Sequence, residues 1–239
     1  MKDSTGPVVL ITGAGGGLGQ VLMKAFRDDG WRVAGGYRVL PSNLETDVHY
    51  SLEIDVTNKS QIERSVERLV NECGRIDCLL NNAGMIEDAL SWQIEELDWQ
   101  KIMEVNLKGA FFCAQAVSMQ MIKQRNGHII NIGSYSGRRG TAGQAHYSAA
   151  KAGLVGLGQS LAREIGSRNV RVNTVLPGLL PTRMTSSLAP EQLQNLVNEN
   201  ALRRINNLEE VARFIVFLAK MQNVSGQVFQ LDSRIAKWM

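Results

Sequence analysis

Tyr147 and Lys151 stand four residues apart in a stretch with helical patterning, so their side chains share one face. A phenol with a pKa near ~10 is a poor acid or base at neutral pH, but a neighbouring ammonium favours the phenolate and lowers that pKa. The pair is therefore suited to exchanging a proton with a substrate oxygen. Ser134, in the run Gly133-Ser134-Tyr135-Ser136-Gly137, carries a hydroxyl that can hydrogen-bond a carbonyl oxygen as negative charge develops on it; the same run also reads as an ordinary turn. Asn106 is a poor helix former inside a helical pattern. Its side chain can hold a water leading to Lys151 or make an internal hydrogen bond. Taken singly these residues are weak evidence, and their position in the fold has to carry the argument.

A second chemistry is written near the start. Thr12-Gly13-Ala14-Gly15-Gly16-Gly17-Leu18-Gly19 follows one apolar run and opens a helical one. Glycines there allow a tight turn and close backbone approach to a pyrophosphate, while a helix N-terminus offers free N–H groups and a positive dipole. The spacing of Gly13, Gly17 and Gly19 is G-x-x-x-G-x-G, not the G-x-G-x-x-G of the older dinucleotide fingerprint. An acid after the second strand would bind the adenosine ribose hydroxyls and mark NAD. This chain has Tyr37-Arg38 there and nothing acidic from Trp31 through Leu44. The planar fork of Arg38 suits a 2′-phosphate, which favours NADP, although a lone loop arginine is also a common solvated residue.

These side chains need a scaffold, and its pattern is regular. Short β-branched runs at Val8–Ile11, Arg32–Gly36, His49–Ile54, Cys78–Asn81, His128–Ile132, Val170–Leu176 and Gln227–Gln230 alternate with helical patterns at Leu18–Asp29, Ser60–Cys73, Glu95–Lys123, Tyr147–Gly166 and Leu208–Lys220. Gly30 and Gly74 sit where the first two helices should exit left-handed. Most of the strands are too apolar to have a solvated face. The pattern predicts an α/β fold: one Rossmann-type, doubly wound parallel sheet of about seven strands with helices on both faces, a single domain over residues 1–239. Ligands bind at the carboxyl ends of strands in such sheets, which brings the loops at Asn82-Ala83-Gly84 and Ser134 to the Gly-rich turn. The least regular stretch, Pro177–Arg204, is where an active-site lid belongs, with the lid itself expected at 183–204.

Bulk properties exclude several classes. The 239 residues are 44% hydrophobic and 21% charged, ordinary globular usage, and the net charge of +3 is dispersed without a basic block that would mark a nucleic-acid arm. No apolar run approaches the ~20 residues of a membrane span, and the first strand begins too early for a leader peptide, so a cytoplasmic location is expected. Cys73, Cys78 and Cys113 lack metal or redox spacing and read as reduced thiols. His49, His128 and His146 form no ligand-spaced cluster, and no metal is expected.

In this order the motifs resemble the short-chain dehydrogenase/reductase family over essentially the whole chain. The resemblance rests on Thr12–Gly19, Asp55-Val56, Asn81-Asn82-Ala83-Gly84, Asn106, Ser134, Tyr147 with Lys151, and Pro177-Gly178 followed by Thr182. It implies that Asp55 and Val56 hold adenine and that Asn82, Ala83 and Gly84 support the ribose region. Pro177, Gly178, Leu180 and Thr182 would meet the nicotinamide, and Gly13, Gly17, Leu18 and Gly19 the phosphates. Asn106, Ser134, Tyr147 and Lys151 match its catalytic tetrad. The stretch from Gly143 through Leu154, continuing to Glu164, is most similar to 3-oxoacyl-[acyl-carrier-protein] reductases. That similarity implies reduction of a 3-oxoacyl thioester by NADPH, with Arg125 and Arg168 placed as contacts for an acidic acyl carrier protein, a place in fatty acid biosynthesis and lipid metabolism, and a homo-oligomer, tetramer or dimer. Two other readings are an alcohol or ketone dehydrogenase acting on a free small molecule and a non-catalytic NADP-binding subunit. Asp232-Ser233-Arg234 departs from the Asp-Gly-Gly common near the family's C-terminus, which leaves subunit geometry open.

Overall fold

The computed structural model describes residues 6–40, 48–186 and 189–235, with the backbone alone for 183 and 184. The seven expected strands all form: β1 (Val8–Thr12), β2 (Arg32–Tyr37), β3 (Tyr50–Glu53), β4 (Cys78–Asn81), β5 (Gly127–Ile132), β6 (Val170–Leu176) and β7 (Val228–Gln230). They pair in parallel throughout in the order β3-β2-β1-β4-β5-β6-β7. The chain leaves β1 for β2 on one side and later returns to lay β4 on its other side, so the connections diverge at β1 and β4 and open a crevice at the carboxyl ends of those strands.

Alternation along the strands decides which helices cover which face. Val9 and Ile11 of β1 point to one side, where they pack with Leu22 and Phe26 of α1 (Gly17–Asp28) and Ile215 and Leu218 of a helix at Leu208–Lys220. Val8 and Leu10 point to the other, against Ile62 and Leu69 of α2 (Lys59–Cys73) and the buried stripes of two longer helices. Both faces are therefore dry, as their continuous apolar runs require. Gly74 ends α2 at φ +74 and accepts no substitute without strain, while Gly30 at φ +83 turns the chain out of α1.

The helical pattern at Glu95–Lys123 is not one uniform helix. It comprises α3 (Glu96–Met103), a π-helical turn at Glu104–Lys108 and α4 (Gly109–Gln124). Such a turn carries one residue more than the α-helix allows and is frequent at functional sites; Asn106 is inside it. After β5 comes a short α5 (Ser136–Arg139), then α6 (Ala145–Ile165), which carries Tyr147 and Lys151. The stretch 177–204 is more regular than expected: it contains α7 (Arg183–Ser186) and α8 (Pro190–Asn198), while 187 and 188 lie outside the described residues. Pro190 starts α8 where a missing N–H costs nothing, and the Gln192 side chain accepts from the Ala189 N–H at 3.1 Å. The helix at Leu208–Lys220 is α9. Among the described residues, no helix is long and apolar enough to cross a membrane.

Candidate active site

The Gly-rich turn is built by neighbouring strands as much as by its own glycines. The Thr12 hydroxyl donates to the Leu80 carbonyl at 3.2 Å and accepts from the N–H groups of Asn82 and Ala83 at 3.0 and 3.1 Å. The Asn82 amide returns two bonds, to the carbonyls of Thr12 at 2.9 Å and Gly13 at 3.1 Å. Gly13 has φ +64, and a Cβ on it would lie 2.8 Å from Ala83 Cα. A Cβ on Gly19 would meet the Gly13 carbonyl oxygen at 2.4 Å. Glycine is therefore required at both places by close backbone approach. Helix α1 opens at Gly17 with no side-chain cap and no acidic residue in its first turn, so its N–H groups and dipole are available to an anion. This cradle fits the pyrophosphate of a dinucleotide. Gly17 faces Thr182, whose Cγ2 would lie 3.3 Å from an added Cβ, which places 177–182 beside the turn. Leu18 and Leu180 are both buried in the core on this side.

The end of β2 runs alongside. The Ala14 N–H donates to the Gly36 carbonyl at 3.0 Å, and the Tyr37 ring lies 3.7 Å from where a Gly15 Cβ would be. Arg38 is the next residue and is exposed. Asp55 follows β3; its carboxylate accepts from the N–H and hydroxyl of Thr57 at 2.9 and 2.7 Å. Val56 is buried against Gly109, whose Cβ would come within 2.8 Å of it.

At the other end of the crevice, Tyr147 is 9% and Lys151 5% exposed. Lys151 Nζ donates to the Ile132 carbonyl at 2.9 Å, and burial lowers its pKa to about 8. The Tyr147 phenol is pushed above its usual value of 10.0, first by burial, against a hydrogen bond from Ser134 that lowers it; the Asp88 carboxylate adds to the rise. The sequence pairing leads to the expectation of a phenol lowered by the neighbouring ammonium and an oxidised nicotinamide together. Here the ammonium lies 5.7 Å from the centre of the Tyr147 ring, and desolvation dominates. Asp88 carries no spacing signal in the sequence; the fold brings it in through Gln144, whose amide donates to it at 3.0 Å.

Asn106 is 1% exposed. Its Nδ2 donates to the carbonyls of Met85 at 2.9 Å and Ile102 at 3.1 Å, and its Oδ1 accepts from the Met85 N–H at 3.3 Å. The internal hydrogen bonds considered for it are thus present. A Cβ at Gly84 would lie 2.9 Å from Asn106 Oδ1 and 3.6 Å from Lys151 Nζ, so the two side chains flank the same small space. Ser134, Tyr147, Lys151 and Asn106 are brought together; Arg125 and Arg168 are not part of that group. They sit near each other, Asn169 bonding the Arg125 carbonyl at 2.9 Å, but before β5 and β6, at the amino ends of strands whose carboxyl ends carry the site. The six residues of β5 alone separate the two edges by about 20 Å. Among the described residues, no three His, Cys, Asp or Glu side chains gather as a metal site. Cys73, Cys78 and Cys113 are free thiols.

The arrangement offers an anion cradle, a phenol raised by burial, a hydroxyl that acts on it and a buried amine around one crevice. Residues 7–193 match the family model described as short chain dehydrogenase. The chain is 40% identical over 238 residues to the 3-oxoacyl-[acyl-carrier-protein] reductase FabG of Thermotoga maritima, covering 95% of this chain and 96% of the relative. It is 39% identical over 235 residues to the enzyme of the same name from Vibrio cholerae, with 95% and 96% covered. Identity is 36% over 244 residues to the 3-oxoacyl-[acyl-carrier-protein] reductase of Synechocystis sp., with 97% and 98% covered. The protein belongs to the short-chain dehydrogenase/reductase family and is an oxidoreductase of that family.

Proposed function

We propose that the protein reduces a 3-oxoacyl thioester, linked to acyl carrier protein or coenzyme A, to the 3-hydroxyacyl product with NADPH. The observation that carries the reading is the convergence of Ser134, Tyr147 and Lys151 on the crevice whose other end is the uncapped start of α1. Bound NADPH supplies a hydride to C3 of the substrate. Tyr147 gives the carbonyl oxygen its proton, a role suited to a phenol that burial keeps protonated at neutral pH. Ser134 hydrogen-bonds the same oxygen and stabilises the charge that develops on it. Lys151 holds the nicotinamide ribose, and Asn106 Oδ1, facing Lys151 across Gly84, anchors the water that returns a proton toward Tyr147. Gly13, Gly17, Leu18 and Gly19 hold the pyrophosphate, Arg38 the 2′-phosphate, and Asp55 and Val56 the adenine. Asn82, Ala83 and Gly84 support the ribose, and Pro177, Gly178, Leu180 and Thr182 the nicotinamide. The segment 183–204 acts as the substrate lid.

The expected assembly is a cytoplasmic homo-oligomer. An apolar groove of about 420 Å³ along Met103, Leu107, Phe111, Gly153 and Leu157 supports a second copy there. With Arg125 and Arg168 on the far edge of the sheet, a carrier protein bound to them would present its acyl group to another copy's crevice. That position also favours the second reading, a ketone dehydrogenase acting on a free small molecule. The deciding experiment follows NADPH consumption with acetoacetyl-CoA and with an acetoacetyl carrier protein. Turnover should vanish in Tyr147→Phe, and normal turnover by that variant would remove the mechanism. Arg125→Ala with Arg168→Ala should raise KM for the carrier-linked substrate alone; an unchanged KM would favour the free ketone.

A further inference from the structure

The departure at Asp232-Ser233-Arg234 has a structural use at the crevice. Past β7 the chain turns so that the Arg234 guanidinium lies over the ring of Tyr135, 3.9 Å from its centroid. Arg234 is held in that pose by Asp232, whose Oδ2 accepts from Nη2 at 2.5 Å and Nε at 2.6 Å. The two side chains are only 10% and 3% exposed. Gln230 closes the turn, its amide donating to Asp232 Oδ1 at 2.8 Å and to the Arg234 carbonyl at 2.6 Å. A buried ion pair is a poor source of stability, because desolvation offsets most of its attraction, and holding a conformation is the better-supported use.

What the pair holds is the loop of the proposed proton-transfer site. Tyr135 is buried and directly follows Ser134. The Ser134 hydroxyl acts on Tyr147, lowering its pKa, and accepts from the Ser136 N–H at 3.2 Å, and the Ser134 carbonyl accepts from the Gly137 N–H at 3.1 Å. Arg138 adds a second tie, Nη1 donating to Gln230 Oε1 at 3.3 Å. The same turn reaches two other parts of the crevice. Asp232 packs on Gly178, where a Cβ would lie 2.7 Å from Asp232 Cβ. Ser233 accepts from the N–H groups of Ala201, through its carbonyl, and Leu202, through its hydroxyl, both at 3.1 Å, at the root of the expected lid.

We propose that Arg234 is a positioning residue: stacked on Tyr135 and clamped by Asp232, it fixes the backbone that presents the Ser134 hydroxyl to the substrate carbonyl. This rests on the assignment of Ser134 as the group that orients that oxygen. The clamp is planar, so a lysine, which keeps the charge but neither stacks nor forks, should not replace it.

The test uses the full-length protein, NADPH and acetoacetyl-CoA. Arg234→Lys should lower kcat by about tenfold or more, as a small displacement of a reacting group does, with KM for NADPH changed by less than about twofold. Tyr135→Phe, which keeps the ring, should retain activity, and Tyr135→Leu should match Arg234→Lys, the double variant being no worse than either. In a Ser134→Ala background Arg234→Lys should cost nothing further. Amide hydrogen exchange, read without substrate, should quicken across residues 133–140 in Arg234→Lys while the midpoint of thermal unfolding moves little. An active Arg234→Lys with exchange unchanged would overturn the clamp, as would a full additional loss in the Ser134→Ala background. Wild-type turnover by Ser134→Ala would instead overturn the site assignment itself, and the clamp's purpose with it.

Discussion

Burial of Lys151 sets a pH limit that can be measured. Its ammonium is 5% exposed with one hydrogen bond to the Ile132 carbonyl, and desolvation brings its pKa from 10.5 to about 8. At that value roughly 90% of the free protein carries the ammonium at pH 7 and roughly 10% at pH 9. Because kcat/KM reports the free enzyme, kcat/KM for NADPH should fall about tenfold per pH unit above pH 8. Tyr147 does not confuse the reading, since its phenol is raised above 10.0 and keeps its proton through this range. Lys151→Arg stays charged and should abolish the inflection even if its absolute rate is lower. Folding stability gives a second readout. Between about 8 and 10.5 the unfolded chain binds the Lys151 proton more tightly than the folded one, so this site's contribution to stability rises with pH, by on the order of 3 kcal/mol at most. Tyr147 works the other way above pH 10, where the folded state holds its proton longer. Urea unfolding at pH 7.5 and 9.5 should therefore show a rise that Lys151→Met removes. A flat kcat/KM profile from pH 7 to 9.5, or the same inflection in Lys151→Arg, would show that the Lys151 ammonium does not set the limit.

Three further outcomes follow from the geometry. Gly13→Ala combines a left-handed backbone with a Cβ 2.8 Å from Ala83 Cα and should cost about 2–4 kcal/mol of stability, with NADPH binding weakened at least tenfold by fluorescence titration. His128 is buried and held neutral, its pKa lowered to about 3 by desolvation, so the unfolded chain gains a proton first as pH falls from 6.5; stability should drop over that window and His128→Gln should flatten the drop in acid-unfolding curves. Arg38→Ala, at an exposed position beside the Gly-rich turn, should raise KM for NADPH at least tenfold and leave KM for NADH nearly unchanged in initial-rate assays.

Much of the fold was legible because its code is local. Each of the seven strands is a short apolar run bounded by turn residues, and the structure moves their ends by no more than one residue. Gly30 and Gly74 were readable as helix exits because a left-handed residue is a requirement of the backbone, independent of packing. The π-helical turn around Asn106 was not legible. It inserts one residue into a pattern whose hydrophobic period hardly changes, and the partner that its Asn106 meets is Met85, 21 residues earlier. Helix α8 is hard to read as a helix because its apolar stripe is only Leu193, Leu196 and Val197, about one turn long and only half-buried, in an otherwise polar stretch.

The order of residues was enough to show which groups could do chemistry and, through the parallel strand pattern, that Ser134, Tyr147, Lys151 and the Gly-rich turn would share one edge of the sheet. Residue type and period settle those matters, and both are local. The state of those groups is set by their folded surroundings. Desolvation raises the Tyr147 phenol and lowers the Lys151 ammonium, an effect set by every atom packed around them and invisible in a four-residue spacing. Only the structure showed Asp88 and Arg234 reaching the crevice, one through Gln144 and the other through the Tyr135 ring, from 59 and 87 positions before and after Tyr147. It also put Arg125 and Arg168 at the opposite edge, because residues that precede a parallel strand and residues that follow it are held apart by the strand's length.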